Sequence, residues 1–153
     1  MSKREEFSAA LKESLKAKDR VATSTLRLIM AALKDRDIEA RGKGKDDGIS
    51  ESEILSLLQS MVKQRQESSK TYRDADRPEL AEREEQEIKV IERFLPQQMD
   101  AGEASRKIEA LIGEMGVSDI RDMGKVMAEL KMRYAGQIDM GKASGIVRQQ
   151  LAS

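Results

Sequence analysis

The 153-residue sequence predicts an all-α fold, and three observations carry that expectation. Apolar residues recur at spacings of three and four along most of the chain. No apolar–polar alternation of strand type persists beyond a few residues, and only two prolines interrupt the pattern. With nine Met, two Tyr, two Phe and no Trp, the core has to be aliphatic. The expected architecture is an N-terminal four-helix domain of two helical hairpins, followed by a small three-helix C-terminal tail domain.

Ser2 is a cap for a first helix that aligns Phe7, Leu11 and Leu15. Asp19 caps a second, from Arg20 to about Arg41, with Ala22, Leu26, Ile29 and Leu33 facing inward. "GKGKDDG" ends it with three glycines. Ser50 followed by Glu53 reads as a capping box opening a third helix, whose stripe is Ile54, Leu57, Leu58 and Met61, then Arg65, Ser68 and Tyr72. "DADRP" is a turn, and Pro78 suits the first turn of a fourth helix. That helix aligns Leu80, Glu84, Glu87, Ile88, Ile91 and Leu95 before Pro96 stops it. Three shorter helices follow, at about 101–115, 122–134 and 140–151, with Gly136 placed as a stop between the last two.

The composition changes at Pro96. Residues 1–95 hold 20 basic and 20 acidic side chains, and residues 96–153 hold eight of each with more frequent glycine. The expected division is an N-terminal helical domain at 1–96 and a tail domain at 97–153. About 55 residues is near the lower limit for independent stability.

Lys plus Arg equals Asp plus Glu at 28 each, so there is no global electrostatic pull toward nucleic acid or an anionic membrane. Without Cys there is no disulfide, thiolate metal site or cysteine nucleophile. Without His the usual general base and the commonest zinc ligand are missing. The first residues lack an apolar core of signal-peptide length, and no stretch is apolar enough to span a bilayer. These observations predict a cytoplasmic monomer with no cofactor, no metal and no membrane association.

"DMGK" occurs twice, at Asp122–Lys125 and Asp139–Lys142. Residues 136–142 fit the spacing of a phosphate-binding loop, but Ala143 replaces the hydroxyl that holds magnesium, and the preceding segment is helical instead of a strand. The pattern reads instead as two helix starts capped by Asp122 and Asp139. Gly124 and Gly141 in the first turns then suggest close approach of another backbone.

Arg65, Glu84 and Glu87 continue apolar stripes. In an antiparallel hairpin about "DADR", Arg65 lies level with Glu87, and a half-buried ion pair is expected with Glu84 or Glu87. A paired-carboxylate catalytic site is disfavoured, because the adjacent arginine holds the acids ionised. Basic clusters occur at "RGKGK" (41–45), at Lys63, Lys70 and Arg73, and at Lys125, Lys131, Arg133, Lys142 and Arg148. The last five are the candidate RNA-binding residues.

The segments "TLRLIMAALKDRDIEARG" (25–42), "VKQRQESSKTYRDADRPELAEREEQEIKVIERFLPQQM" (62–99) and "DMGKVMAEL…AGQIDMGKASGIVRQQL" (122–151) together resemble the GatB/YqeY family, in its stand-alone YqeY-like form. The resemblance implies an N-terminal helical domain and a helical tail domain. The same pair forms the C-terminal part of the B subunit of the aspartyl/glutamyl-tRNA amidotransferase, where the tail contacts tRNA. It also implies a nominal carbon–nitrogen ligase activity with glutamine as amide donor. The B subunit's catalytic cradle is far larger than this chain, and its glutaminase lies on another subunit. Gln137 stands where family members often carry arginine.

The expected function is a non-catalytic tRNA-binding or amidotransferase-associated accessory protein, with tRNA or the tRNA amidotransferase/synthetase machinery as partner. The alternative is a helical protein-interaction module without an RNA role.

Overall fold

The computed structural model describes residues 1–152. Among these residues there are seven α-helices and no strand. They are α1 (Lys3–Ala17), α2 (Arg20–Gly42), α3 (Glu51–Asp74), α4 (Pro78–Glu92), α5 (Ala101–Met115), α6 (Met123–Arg133) and α7 (Met140–Ala152). The fold is all-α.

The helix starts follow local chemistry. The side chains of Ser2, Asp19, Ser50 and Asp100 accept the N–H groups of Glu5, Ala22, Glu53 and Glu103, respectively. Ser50 and Glu53 form a reciprocal capping box, and Pro78 occupies the first turn of α4.

The helices gather into two compact units, Met1–Leu95 and Pro96–Ser153. In the first, α1 packs on α2 and α3 packs on α4 along most of their length, while α2 also lies against α4. The core is built on Leu26, Ile29, Ile54, Leu58 and Ile91, none more than 1 % exposed. Removing each such side chain from water contributes about 1.5–3 kcal/mol. Phe7 and Phe94 meet edge to face with ring centroids 5.0 Å apart. Helix α4 ends at Glu92, three residues before the Leu95 predicted from periodicity, and the N–H groups of Arg93, Phe94 and Leu95 close it by donating to the carbonyls of Val90, Ile91 and Glu92.

Two stripe residues lie elsewhere than expected. Leu15 and Leu80 are about half exposed. Ser14 takes the inward position on α1, where its hydroxyl donates to Leu11 O and shares a hydrogen bond with Thr23 Oγ1, both at 2.8 Å.

In the second unit α5, α6 and α7 pack pairwise around Ile108, Leu111, Val126, Leu130 and Val147. A short 3-10 turn at Ile120–Asp122 precedes α6. Gly136 has φ +77°, a conformation that glycine takes at no steric cost, and reverses the chain after α6. The backbone N–H of Met99 donates to Gln137 O at 2.9 Å, which ties the start of this unit to that reversal. Among the described residues no helix is long and apolar enough to cross a membrane.

Candidate functional site

Helices α3 and α4 run side by side, and their facing stripes bring charged groups together. Arg65 Nε donates to Glu87 Oε2 at 2.9 Å, and its Nη1 donates to Met61 O at 3.1 Å. The two side chains are only 13 % and 12 % exposed. Arg83 Nε reaches the other oxygen of Glu87 at 3.4 Å. One turn nearer the hairpin loop, Glu85 accepts from Ser69 at 3.0 Å and from Arg73 at 2.8 Å. Hydrogen bonds from Arg73 and Ser69 hold the Glu85 carboxyl below its ordinary pKa.

Glu84 has no hydrogen bond or ion pair among the described residues, although it lies within electrostatic reach of Arg65. Burial, and then the charge of Glu87, push its pKa upward against the weaker pull of Arg65 and Arg83. The carboxylate lines an open groove of about 530 Å³ together with Arg65, Ser68, Thr71 and Tyr72. The arrangement clamps the hairpin.

The C-terminal candidates divide. Lys131, Lys142 and Arg148 are exposed and make no ion pair among the described residues. Lys125 is exposed and lies 3.9 Å from Asp122 Oδ1. Arg133 is already occupied. Its Nη1 donates to Glu114 Oε2 at 2.8 Å and its Nε to Glu129 Oε1 at 2.9 Å. These hydrogen bonds raise its pKa and lower that of Glu114. Of the five candidate RNA-binding residues, Arg133 is thus the one whose guanidinium already faces two carboxylates.

At about 100° per residue, Lys125 and Lys131 diverge by roughly 120° around α6, as do Lys142 and Arg148 around α7. The five residues do not form one continuous patch.

The two helix starts also differ from each other. Asp139 Oδ1 accepts the N–H groups of Gly141 and Lys142 at 2.8 and 3.3 Å. Asp122 makes no cap hydrogen bond. Asp119 does so instead, accepting from Arg121 N–H at 2.9 Å, because the 3-10 turn begins one aspartate earlier. No backbone crowds either glycine. A Cβ on Gly124 would meet nothing within 4 Å, and one on Gly141 would meet only the Asp139 carboxylate, at 3.2 Å. The close-approach reading of these glycines is corrected accordingly. At α7 the cap itself fills the anion position.

One cluster escaped the sequence reading. Asp37, 7 % exposed, accepts from Arg4 Nη2 at 2.6 Å and from the Ile49 N–H at 2.9 Å. Arg4 Nη2 also donates to Ile49 O at 3.0 Å. This cluster ties the loop after α2 to α1. Burial acts to raise the Asp37 pKa, but the hydrogen bonds from Arg4 and Ile49 and the charges of Arg4 and Arg41 together bring it below the ordinary value. Its only sequence signal is an aspartate at the inward position four residues after Leu33. Among the described residues no group of three His, Cys, Asp or Glu is placed to hold a metal ion.

Comparison with known proteins agrees with this architecture. The family model described as "Yqey-like protein" matches residues 4–151. The chain belongs to the YqeY-like family. It is similar to "Altered inheritance of mitochondria protein 41, mitochondrial" of Lachancea thermotolerans, 32 % identical over 111 residues, which covers 71 % of this chain and 57 % of that protein. The protein of the same name from Clavispora lusitaniae is 25 % identical over 147 residues, 94 % of this chain and 81 % of that protein. The match to the protein of that name from Vanderwaltozyma polyspora is 29 % identical, over 69 % of this chain and 56 % of that protein. The chain thus spans little more than half the length of the first and third of these relatives. The expected cytoplasmic location is overturned, because these relatives are named as mitochondrial proteins.

Proposed function

We propose that this chain is a non-catalytic accessory protein of the tRNA-amidation machinery, which touches folded RNA through its C-terminal unit. The observation that carries the reading is the state of the cations there. Arg121 and Arg133 are held by carboxylates, whereas Lys131, Lys142 and Arg148 are exposed and unpaired. The resemblance of residues 25–42, 62–99 and 122–151 to the GatB/YqeY family implies a kinship with the amidotransferase B-subunit tail, and the reading takes that as its second support. Scattered cations around two helices suit the phosphates of a folded RNA, recognised by shape. With no aromatic platform among them, they do not suit stacking on single strands. Retention of folded tRNA by the full-length chain tests the reading. Binding that falls steeply between low and moderate salt supports it, and no binding at low salt removes it.

A second reading, a protein-interaction module, has its own observation. Between α2 and α3 lies a depression of about 500 Å³, bordered by Leu28, Ala32, Leu57 and Met61, with Leu28 47 % exposed. A partner helix with apolar anchors suits such a surface. That reading predicts no salt-dependent retention of RNA.

A further inference from the structure

The α1–α2 hairpin encloses a cleft of about 210 Å³ that neither reading uses. Its apolar wall comes from Phe7 on α1 and from Met30 and Leu33 on α2. Its polar wall comes from Arg4, Lys34, Asp37 and Arg41. We propose that this cleft binds a small organic anion, a carboxylate or phosphate carried on a short apolar group.

Charge decides the sign of the ligand. Three cations face the cleft and one carboxylate opposes them. That carboxylate is engaged by Arg4 and by the Ile49 N–H. Lys34 and Arg41 have no ion-pair partner among the described residues, while Arg65, Arg73 and Arg83 of the same unit all lie against carboxylates. Arg41 Nε also donates to Asp46 O at 3.3 Å and its charge acts on Asp37, yet three cations against one carboxylate leave the cleft net positive, which draws an anion. A guanidinium beside an ammonium suits carboxylate or phosphate oxygens.

Size limits the apolar part. A cavity of about 150 Å³ accommodates a benzene ring. A cleft of 210 Å³, open to solvent on one side, has room for a phenyl-sized group. The apolar group would rest on the half-buried Met30, over the edges of the nearly buried Phe7 and Leu33, with its anionic end toward Lys34 and Arg41. Asp37 is fixed from two sides, so the polar wall is set before the ligand arrives.

The same chemistry has two sources, a free small molecule or the carboxyl end of another polypeptide. The test is a titration of the full-length protein by two-dimensional amide and methyl NMR. The probes are phenyl phosphate, benzylamine, inorganic phosphate and a tetrapeptide ending in phenylalanine with a free or amidated carboxyl. The expected result is saturable shifts at Ser8, Met30 and Lys34 with phenyl phosphate, at least tenfold weaker with inorganic phosphate and absent with benzylamine. The double change Lys34→Glu and Arg41→Glu alters exposed positions only and should weaken the phenyl phosphate affinity at least tenfold. Ser8→Phe, which fills the cleft from α1 without changing charge, should do the same. Tighter binding of the free-carboxyl peptide than of phenyl phosphate identifies a polypeptide source, and the reverse identifies a free metabolite. Equal shifts from benzylamine, or unchanged affinity in both variants, overturns the proposal.

Discussion

Arg65 and Glu87 stand 22 residues apart in the chain and 2.9 Å apart in space, Nε to Oε2, with both side chains largely buried. The register of the α3–α4 hairpin makes this pairing. Arg65→Ala leaves Glu87 with only the longer contact from the half-exposed Arg83. We expect a loss of about 2 kcal/mol, read as a shift in the urea midpoint at unchanged slope. A midpoint equal to that of the parent protein contradicts a structural role for the pair.

Gly48→Ala probes the Asp37 cluster. Gly48 has φ +80°, and an added Cβ would sit 2.2 Å from Asp37 Oδ1. The substitution meets backbone strain and a clash with an anchored carboxylate together, so a loss of about 2–4 kcal/mol is expected. Gly44→Ala is the control, because its φ is also positive but nothing lies within 4 Å. It should cost clearly less, and equal losses in the two variants would show that the clash has no part.

Two carboxylates should respond to pH with opposite sign. Asp37 has its pKa lowered from 3.8, so the folded state favours the ionised form. Its contribution is fully present above the unfolded value and is lost as pH falls through the lower folded one. Asp37→Asn should therefore be destabilising at pH 7, by a margin that narrows below about pH 4. Glu84 has its pKa raised from 4.5, so its ionised form is the disfavoured one in the folded state. Glu84→Gln should stabilise at pH 7, and the gain should disappear as pH falls through the raised native value to below the ordinary one. Denaturation series at pH 7 and pH 3.5 check both signs, and a destabilising Glu84→Gln at pH 7 contradicts the assignment.

Each unit has its own buried core, and we propose that each is a domain in the folding sense. Gln97 and Gln98 are exposed and non-helical between them. Limited subtilisin digestion should cut there and leave a stable N-terminal fragment of about 95 residues with helical circular dichroism. Resistance at this position, with a single unfolding transition for the whole chain, would contradict the division.

The helices were legible because their signals are local. Ser2, Asp19 and Ser50 each sit next to the N–H groups they cap, and Ile54, Leu58 and Met61 keep a helical period. Where a choice depended on competition between neighbours, the helix start was placed within a residue but its capping bond was not. "SDIRD" offers two aspartates, and the earlier one captured the chain as a 3-10 turn, leaving Asp122 without a cap bond. Arg133 has carboxylate partners that the candidate list did not foresee. One partner, Glu129, stands four residues earlier on the same helix and was legible as an i,i+4 pair, whereas the other, Glu114, lies 19 residues away on another helix. Asp37 is the same problem at 33 residues' separation from Arg4. For the basic residues, sequence spacing gives their angle around a helix but not which charges are paired across helices.

The central claim is that the C-terminal unit contacts folded RNA through unpaired cations. The most direct measurement is a titration of labelled tRNA with the full-length protein at two salt concentrations, for the parent and for a variant carrying Lys131→Glu, Lys142→Glu and Arg148→Glu. All three positions are exposed and unpaired, so the variant should keep its helical signal. The account predicts weak binding, about micromolar or worse, that falls steeply with salt and is lost in the variant. A companion Arg133→Glu change should affect RNA binding less than Lys142→Glu does, because Arg133 is already paired with Glu114 and Glu129. Equal tRNA affinity in the parent and the triple variant, or affinity insensitive to salt, would contradict the claim and leave the protein-interaction reading in its place.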